Sequence, residues 1–173
     1  MTSDLATRTT ATDTEAAAGA LAERLFAEGL GAMHLQAVHL GVKLGLFAAL
    51  VEHPGSTAGE LAAHTDLDPW YVREWLQAEW IAGLLDADGQ DVHTARFSAA
   101  NGVREVLVTP THPAHLAGLP TAAIATASVM PQLLDAFRSG AGLRPRDRAL
   151  QSLVARRRSW RQMAQDPVRR PIL

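Results

Sequence analysis

Four of the seven histidines fall in two close pairs, and histidine is well suited to bind a metal or move a proton. His34 and His39 lie five residues apart in a helical pattern, whereas a spacing of four would best place two metal ligands on one helix face. His112 and His115 lie three apart in a proline-flanked loop without a carboxylate cluster nearby. We therefore predict no metal site. We interpret His34 and His39 as core histidines bonded to backbone carbonyls, with a substrate-pocket role as the alternative.

Other catalytic chemistry has no residue pattern to support it. The chain has no cysteine, which excludes disulfides, thiolate zinc sites and cysteine nucleophiles. No Ser-His-Asp order, paired-carboxylate spacing or phosphate-binding loop stands out in the sequence. Gly140-Ala141-Gly142 has the G-x-G form, but it follows a predicted helix instead of a strand, so it does not indicate a cofactor turn. We predict no catalytic residue and no cofactor bound by this chain.

Methionine and tryptophan side chains supply further candidates for contact with a ligand or a partner. We expect Met33 and Met130 to fill the core, since flexible thioethers pack into irregular gaps. Trp75 and Trp80 lie five apart and so wrap round the helix, which favours packing or an interface over a stacking face for a ligand. The residues that we predict for an interface or a substrate pocket are Met33, His34, His39, Trp75 and Trp80.

The charge of the chain changes sign near residue 138. Residues 1–137 contain 6 basic and 16 acidic residues, a balance of −10, whereas residues 138–173 contain 10 arginines and 2 aspartates, a balance of +8. Such an asymmetry marks a boundary between unlike segments. The polar N-terminus carries no secretory signal, and no apolar run reaches the ~20 residues of a membrane span. We therefore expect a cytoplasmic protein that does not enter a membrane.

The N-terminal quarter of the sequence predicts a leader followed by two helices. Residues 1–13 are polar and rich in Thr and Ala, which favours a disordered leader. Residues 14–45 have a helical pattern that Gly29 and Gly31 interrupt. The second of these helices is apolar nearly all round, so it must be buried in a core or against a partner. We predict that these helices form a homodimer.

Residues 46–108 carry the signals of three short helices and a hairpin. The signals are a helix over residues 46–51, the capping box Thr57-Ala58-Gly59-Glu60, the N-cap Asp68 before Pro69, the stop at Gly83, the turn Asp88-Gly89 and a strand over residues 92–98. Three helices followed by a hairpin are the order of a winged helix-turn-helix domain.

Residues 109–142 predict a helical linker. A helical pattern covers residues 116–137, with breaks at Pro120 and Pro131, and ends at the glycines that follow. The predicted fold class is therefore mainly α: a winged helix-turn-helix with a small β-hairpin wing and long flanking N- and C-terminal helices.

The segment from Ala37 to Asp88 resembles the front of a family of class I S-adenosylmethionine-dependent methyltransferases, in which a winged-helix domain precedes the catalytic domain. The matching stretches are HLGVKLGLF (His39 to Phe47), ELAAHT (Glu60 to Thr65), YVREWL (Tyr71 to Leu76), AGLL (Ala82 to Leu85), RFS (Arg96 to Ser98) and LLDAFRSGAG (Leu133 to Gly142). Their order and spacing agree with the family over residues 25–142.

The resemblance implies that this domain mediates dimerisation and helps to cover a substrate pocket. S-adenosylmethionine would be held elsewhere, at the Gly-rich turn of a doubly wound domain. Only 31 residues follow Gly142, and one crossover unit alone takes about 30. We therefore expect that this chain lacks the cofactor-binding domain and is not catalytic by itself. It would be a truncated methyltransferase, or a subunit that works with a separate catalytic domain.

Three explanations of the Arg-rich tail, residues 143–173, stay open. Leu150, Val154 and Arg158 share a helix face, which favours a divergent helix. The run of arginines at 156–158 indicates a basic arm. The abundance of Arg, Pro and Ala is also typical of a GC-rich gene translated out of frame, and we favour this hypothesis.

A winged helix also suggests a DNA-binding transcriptional regulator, which is the alternative function. Neutralising phosphates supplies most non-specific affinity for DNA. The predicted recognition segment, residues 66–80, contains four acidic residues and one arginine, a balance of −3, and residues 46–108 have a balance of −7. Because acidic side chains repel phosphate, we expect no specific DNA binding through this face.

Overall fold

The structure, a computed structural model, describes residues 2–142 of the chain, with side chains from Asp13 onward. This part is mainly helical, as predicted, and carries one antiparallel pair of strands. The Arg-rich tail lies outside the described residues. The elements are α1 (Thr2–Lys43), α2 (Leu46–Glu52), α3 (Ala58–Thr65), α4 (Pro69–Ile81), β1 (Leu85–Asp88), β2 (Arg96–Ala99), the π-helical segment π1 (Arg104–Val108), α5 (Gly118–Ser128) and α6 (Met130–Ser139).

α1 is one helix of 42 residues where the sequence predicted a leader and two helices. It starts inside the segment expected to be a leader, and the predicted interruption at Gly29 and Gly31 is wrong. A glycine costs about 1 kcal/mol in a helix relative to alanine, but it keeps its backbone N–H and adopts helical angles. Extending an existing helix through two such residues is cheaper than nucleating a second one.

Side-chain caps begin α3 and α4, as the sequence predicted. Thr57 Oγ1 accepts a hydrogen bond from the Glu60 backbone N–H, and the Thr57 backbone N–H donates to Glu60 Oε2 at 2.8 Å. That backbone hydrogen bond, followed by the one from the Thr57 hydroxyl, lowers the pKa of the Glu60 carboxyl. Asp68 Oδ1 accepts from the backbone N–H groups of Trp70 and Tyr71, which begins α4. These caps fix the turn between the two helices.

The wing is the hairpin of β1 and β2, in which Leu85 pairs with Ala99 and Asp88 with Arg96. The second strand begins at Arg96, so the predicted start near Val92 is wrong. The Asp91 side chain accepts a hydrogen bond from the His93 backbone N–H, and its backbone carbonyl accepts from Ala95 N–H. These bonds hold residues 91–95 as a turn and keep them out of the strand.

The core of the domain lies where α2, α3, α4 and the wing meet. Its completely or almost completely buried side chains are Leu46, Phe47, Leu50, Leu61, Val72, Leu76 and Phe97. The segment before α3 joins the wing, because Phe97 N–H donates to the Ser56 carbonyl at 2.8 Å. The C-terminal part of α1 packs on α2, α4 and α5.

The two prolines of the C-terminal segment behave differently. Pro131 lies in the first turn of α6 and marks a new helix, as predicted. Pro120 was expected to break the helix, but it lies in the first turn of α5, where the missing N–H would have had no helical partner. Gly140 ends α6 in the left-handed region, at φ 69°.

No single helix in the described part of the chain is both long and apolar enough to cross a membrane. Residues 13–43 of α1 and the whole of α2 reach the length and apolar composition of a membrane span only when they are taken together, and the two helices are bent by 62° relative to each other. α2 owes its apolar composition to burial in the domain core.

The close contact between α1 and the domain predicts that a side chain at position 41 lowers the stability of the protein. A Cβ atom there would lie 2.6 Å from Phe47 Cε2 and would also overlap the Trp75 indole, whereas a Cβ at Gly31 would meet nothing within 4 Å. We expect Gly41→Ala to destabilise the protein by about 1–3 kcal/mol through overpacking. Gly31→Ala, the control, should be neutral or stabilise by up to about 1 kcal/mol. Urea unfolding measures both, and equal midpoints for the two variants would contradict the close approach.

Candidate functional site

The predicted residues Trp75 and His34 lie together at the junction of α1 and α4. Trp75 is 7% exposed, and its indole Nε1–H donates to the Ala37 carbonyl of α1 at 3.0 Å. The Phe47 ring meets the Trp75 indole edge to face, with centroids 5.0 Å apart. Trp75 is thus a packing residue that ties α1 to the domain, and Gly41 gives it the room to do so.

His34 bonds to a carboxylate, where the sequence predicted a backbone carbonyl as its partner. Its Nε2 lies 3.0 Å from Glu79 Oε2, in a contact between α1 and α4. The His34 side chain is 31% exposed, whereas the Glu79 side chain is fully buried. Sequence reasoning missed Glu79 by counting it as a surface charge. The helical period was the available signal, since Glu79 follows the buried Val72 and Leu76 at i+7 and i+3.

Glu79 is an unusual group for a protein interior. Burial raises the pKa of its carboxyl, and the hydrogen bond and charge of His34 act in the opposite direction. Its second oxygen, Oε1, is buried and has no hydrogen-bond partner. A buried carboxylate with one unpartnered oxygen is costly when ionised, so the site favours retention of a proton.

The other predicted histidine, His39, faces the C-terminal helices. Its Nδ1 lies 3.2 Å from Thr121 Oγ1 of α5, and the side chain is half-buried. His39 and His34 therefore occupy different contacts and do not form one site. Trp80 is also half-buried and meets Phe97 of the wing at a centroid distance of 6.2 Å.

Met33 lies on the surface, so the expectation that it fills the core is wrong. It is 66% exposed, and Met130, for which the same role was expected, is 43% exposed. The domain begins to contact α1 only one residue after Met33, because the described residues 13–33 are all exposed. The sequence pattern could not show where along the helix that contact begins.

Met33 belongs to an exposed apolar stripe on α1. We define the stripe as Phe26, Leu30, Met33 and Leu40 of α1 together with Leu44, which directly follows the helix; these side chains are 46–70% exposed. At 100° per residue, these side chains fall within about 80° of one another on the helix. Phe26, Met33 and Leu40 are seven residues apart, and Leu30 and Leu44 are fourteen apart, which matches the a and d positions of a coiled coil.

The stripe ends in an apolar groove between α1 and α4. The groove has a volume of about 430 Å³. It is almost wholly apolar and is lined by Leu40, Leu44, Leu46, Leu67, Asp68, Tyr71, Val72, Glu74 and Trp75. Leu40 and Leu44 belong to both features, so stripe and groove form one continuous apolar surface.

The surface of α4 and the wing is acidic. Asp66, Asp68 and Glu74 are exposed on the helix-turn-helix, and the one arginine of that segment, Arg73, lies 3.4 Å from Glu74. The wing exposes further acidic residues, and its arginine, Arg96, is bonded to the Gly55 carbonyl and to Glu60. Because Glu79 is buried, the surface of residues 66–80 carries one negative charge fewer than the balance of −3 counted from the sequence. The balance remains −2, which repels phosphate.

The described residues do not fit S-adenosylmethionine or a metal ion. The sheet of this part of the chain is a two-stranded antiparallel hairpin, whereas the doubly wound fold holds a nucleoside cofactor at a turn between a parallel strand and a helix. Gly140, in the G-x-G sequence, caps α6 by donating to the Ala136 carbonyl. No cluster of three or more His, Asp or Glu side chains that could hold a metal occurs among residues whose placement is described.

A family model decides the nature of the central domain. Residues 35–99 match the model described as the Rv2258c-like winged HTH domain. Residues 35–99 form a winged helix-turn-helix domain. The predicted order of helices and wing is thereby confirmed. No protein of curated function matches the sequence.

Three solved structures with a similar fold are methyltransferases. Human N-acetylserotonin methyltransferase in complex with S-adenosylmethionine has a TM-score of 0.57 and 22% identity, over 70% of this chain and 36% of that one. N,N-8-amino-8-demethyl-D-riboflavin dimethyltransferase from Streptomyces davawensis has a TM-score of 0.55 and 20% identity, over 82% and 45%. Mitomycin 7-O-methyltransferase has a TM-score of 0.52 and 25% identity, over 88% and 42%.

The winged helix-turn-helix domain is thus similar to the N-terminal domains of S-adenosylmethionine-dependent methyltransferases, as the resemblance in sequence indicated. The chain spans less than half the length of each of these three structures.

The acidic surface predicts how the protein behaves with DNA. We expect no sequence-dependent retardation of a DNA duplex at about 50 mM salt, and any non-specific retardation should vanish near 200 mM. Arg73→Ala should leave the result unchanged, because Arg73 is engaged by Glu74. Gel mobility shifts test this. Sequence-dependent retardation that Arg73→Ala abolishes would show that α4 reads DNA and would contradict the electrostatic argument.

Proposed function

We propose that this chain is the association domain of an S-adenosylmethionine-dependent small-molecule methyltransferase, and that it forms a homodimer through α1. The observation that carries the proposal is the apolar stripe, which the described part of a single chain leaves uncovered. The similarity to the N-terminal domains of methyltransferases supports the enzyme class. A DNA-binding regulator is not favoured, because the surface of α4 is acidic.

A second copy of the same helix fits the stripe well. Residues at a and d positions pack as knobs into the holes of a partner helix, and a self-complementary stripe needs no other protein. Full burial of a Leu, Met or Phe side chain contributes about 1.5–3 kcal/mol. The stripe residues are roughly half exposed, so two stripes together offer on the order of 10 kcal/mol. Association costs about 4–15 kcal/mol, so the stripes can support a dimer of moderate affinity.

The apolar groove suggests how the domain contributes to substrate contact. Its lining is almost wholly apolar, with aromatic and aliphatic side chains, and such a lining suits the apolar part of a small organic molecule. We propose that the groove, with Trp75 in its lining, forms part of a wall over the methyl acceptor, and that Met33 lies on the stripe that leads to it. His34, His39 and Trp80 bond or pack within the chain and would act by holding α1 and the wing in place.

Charge placed on the stripe tests association. We expect wild type to have twice the mass of the chain in light scattering at about 100 µM. The double variant Phe26→Glu/Met33→Glu should be monomeric, with dimer affinity reduced about 100-fold or more, because buried unpaired carboxylates cost several kcal/mol.

The control variant Ala17→Glu/Leu21→Glu places the same two charges on the opposite, exposed side of α1, about 180° and 220° from Phe26. It should remain dimeric. A monomeric wild type, or equal loss of dimer in both double variants, would show that the stripe does not join two copies.

A further inference from the structure

A hydrogen bond between two titratable side chains, His34 and Glu79, joins α1 to α4 of the winged helix-turn-helix domain. His34 Nε2 of α1 lies 3.0 Å from Glu79 Oε2 of α4, across 45 residues of sequence. Glu79 is fully buried, and its Oε1 has no partner. His34 is 31% exposed, so the pair has one end in the interior and one end at the surface.

We propose that His34 and Glu79 share one proton and act as a pH-sensitive latch that holds α1 against α4. With one proton the pair is neutral overall, either as imidazole and carboxylic acid or as imidazolium and carboxylate. The proton lies between Nε2 and Oε2 in both forms and leaves to solvent through the exposed edge of His34. Its loss leaves a buried carboxylate with one unpartnered oxygen and no cation beside it. This inference concerns one chain and does not depend on association of two copies.

Among the described side chains of the neighbouring elements, no other charged group lies in a position to replace His34. The pKa of the Glu79 carboxyl is raised overall, because the effect of burial exceeds the opposing effect of His34. His34 is the one charged group that acts on it among the described residues. α4 packs against α1, α3 and β1. The other titratable groups in the described parts of these elements are exposed or bonded elsewhere: Asp13, Glu15, Glu23, Arg24, Glu28, His39 and Lys43 on α1, Glu60 and His64 on α3, Tyr71, Arg73 and Glu74 on α4, and Asp86 and Asp88 on β1.

The direction of the pH effect follows from the raised pKa of Glu79. A carboxyl whose pKa is higher in the folded state than its ordinary value of 4.5 favours the folded contact while protonated. The stabilisation is complete below that value and is lost as pH rises through the raised pKa. Glu60 has the opposite sign, because its lowered pKa removes stability as pH falls. Global unfolding would mix the two effects, so the test needs a local reporter.

Trp75 supplies that reporter, because its indole N–H donates to Ala37 across the same junction. The experiment measures the hydrogen-exchange protection factor of this N–H by NMR in the full chain, from about pH 4.5 to 8.5. In wild type we expect protection to fall with rising pH, by about tenfold for each unit between the ordinary and the raised pKa. Glu79→Gln should abolish this dependence, whereas the exposed control Glu74→Gln should retain it.

A second measurement needs no variant and covers the case in which Glu79→Gln fails to fold. The carboxyl-carbon shift of Glu79 in wild type should titrate above pH 4.5. Protection of the Trp75 N–H that is independent of pH in wild type would overturn the proposal. So would a Glu79 carboxyl that titrates at or below its ordinary value, or a Glu79→Gln variant with the pH profile of wild type.

Discussion

A helix of 42 residues is about 63 Å long, and a domain as small as this one can cover only part of it. Residues 13–33 of α1 are exposed, and contact with the domain begins at His34. Apolar side chains on the uncovered length remain in water unless another surface meets them. The exposure of the stripe residues Phe26, Leu30 and Met33, and with it the proposed dimer, follows from this mismatch between helix length and domain size.

The junction between α1 and α4 determines how the exposed part of α1 is oriented relative to the domain. A glycine at position 41 allows the helix to approach Trp75 and Phe47 closely, and the Trp75 indole bonds to the α1 backbone. His34 and Glu79 add a partly buried polar contact, one turn before Ala37 on α1. The apolar packing and the polar contact lie side by side, so a few residues fix the direction in which the exposed part of α1 leaves the domain. The position of the apolar stripe relative to the domain therefore depends on these residues.

Local signals were sufficient to predict the helix-turn-helix and wing. The capping box at Thr57, Asp68 before Pro69 and the restart at Pro131 all act through bonds within a few residues, so the sequence reveals them directly. The length of α1 was not predictable in this way, because two glycines weaken a helix without ending it, and extending a helix costs less than nucleating a second one.

Contacts distant in sequence were harder to predict. Met33 has the composition of a core residue, and its exposure depends on where the domain meets α1, which no local pattern encodes. Glu79 was counted as a surface charge because glutamate is rarely buried, although its position in the helical period placed it on the inner face. The partner of His34 lies 45 residues away and becomes visible only once α1 and α4 are packed together.

The central claim is that the stripes of two α1 helices pack together, and a distance between two copies tests it most directly. The chain has no cysteine, so Ala20→Cys provides a single site for a spin label on α1 outside the stripe. Pulsed electron paramagnetic resonance should give one defined distance between labels on two chains. Excess unlabelled chain should abolish that signal. A decay without any defined distance at the same protein concentration would contradict the account.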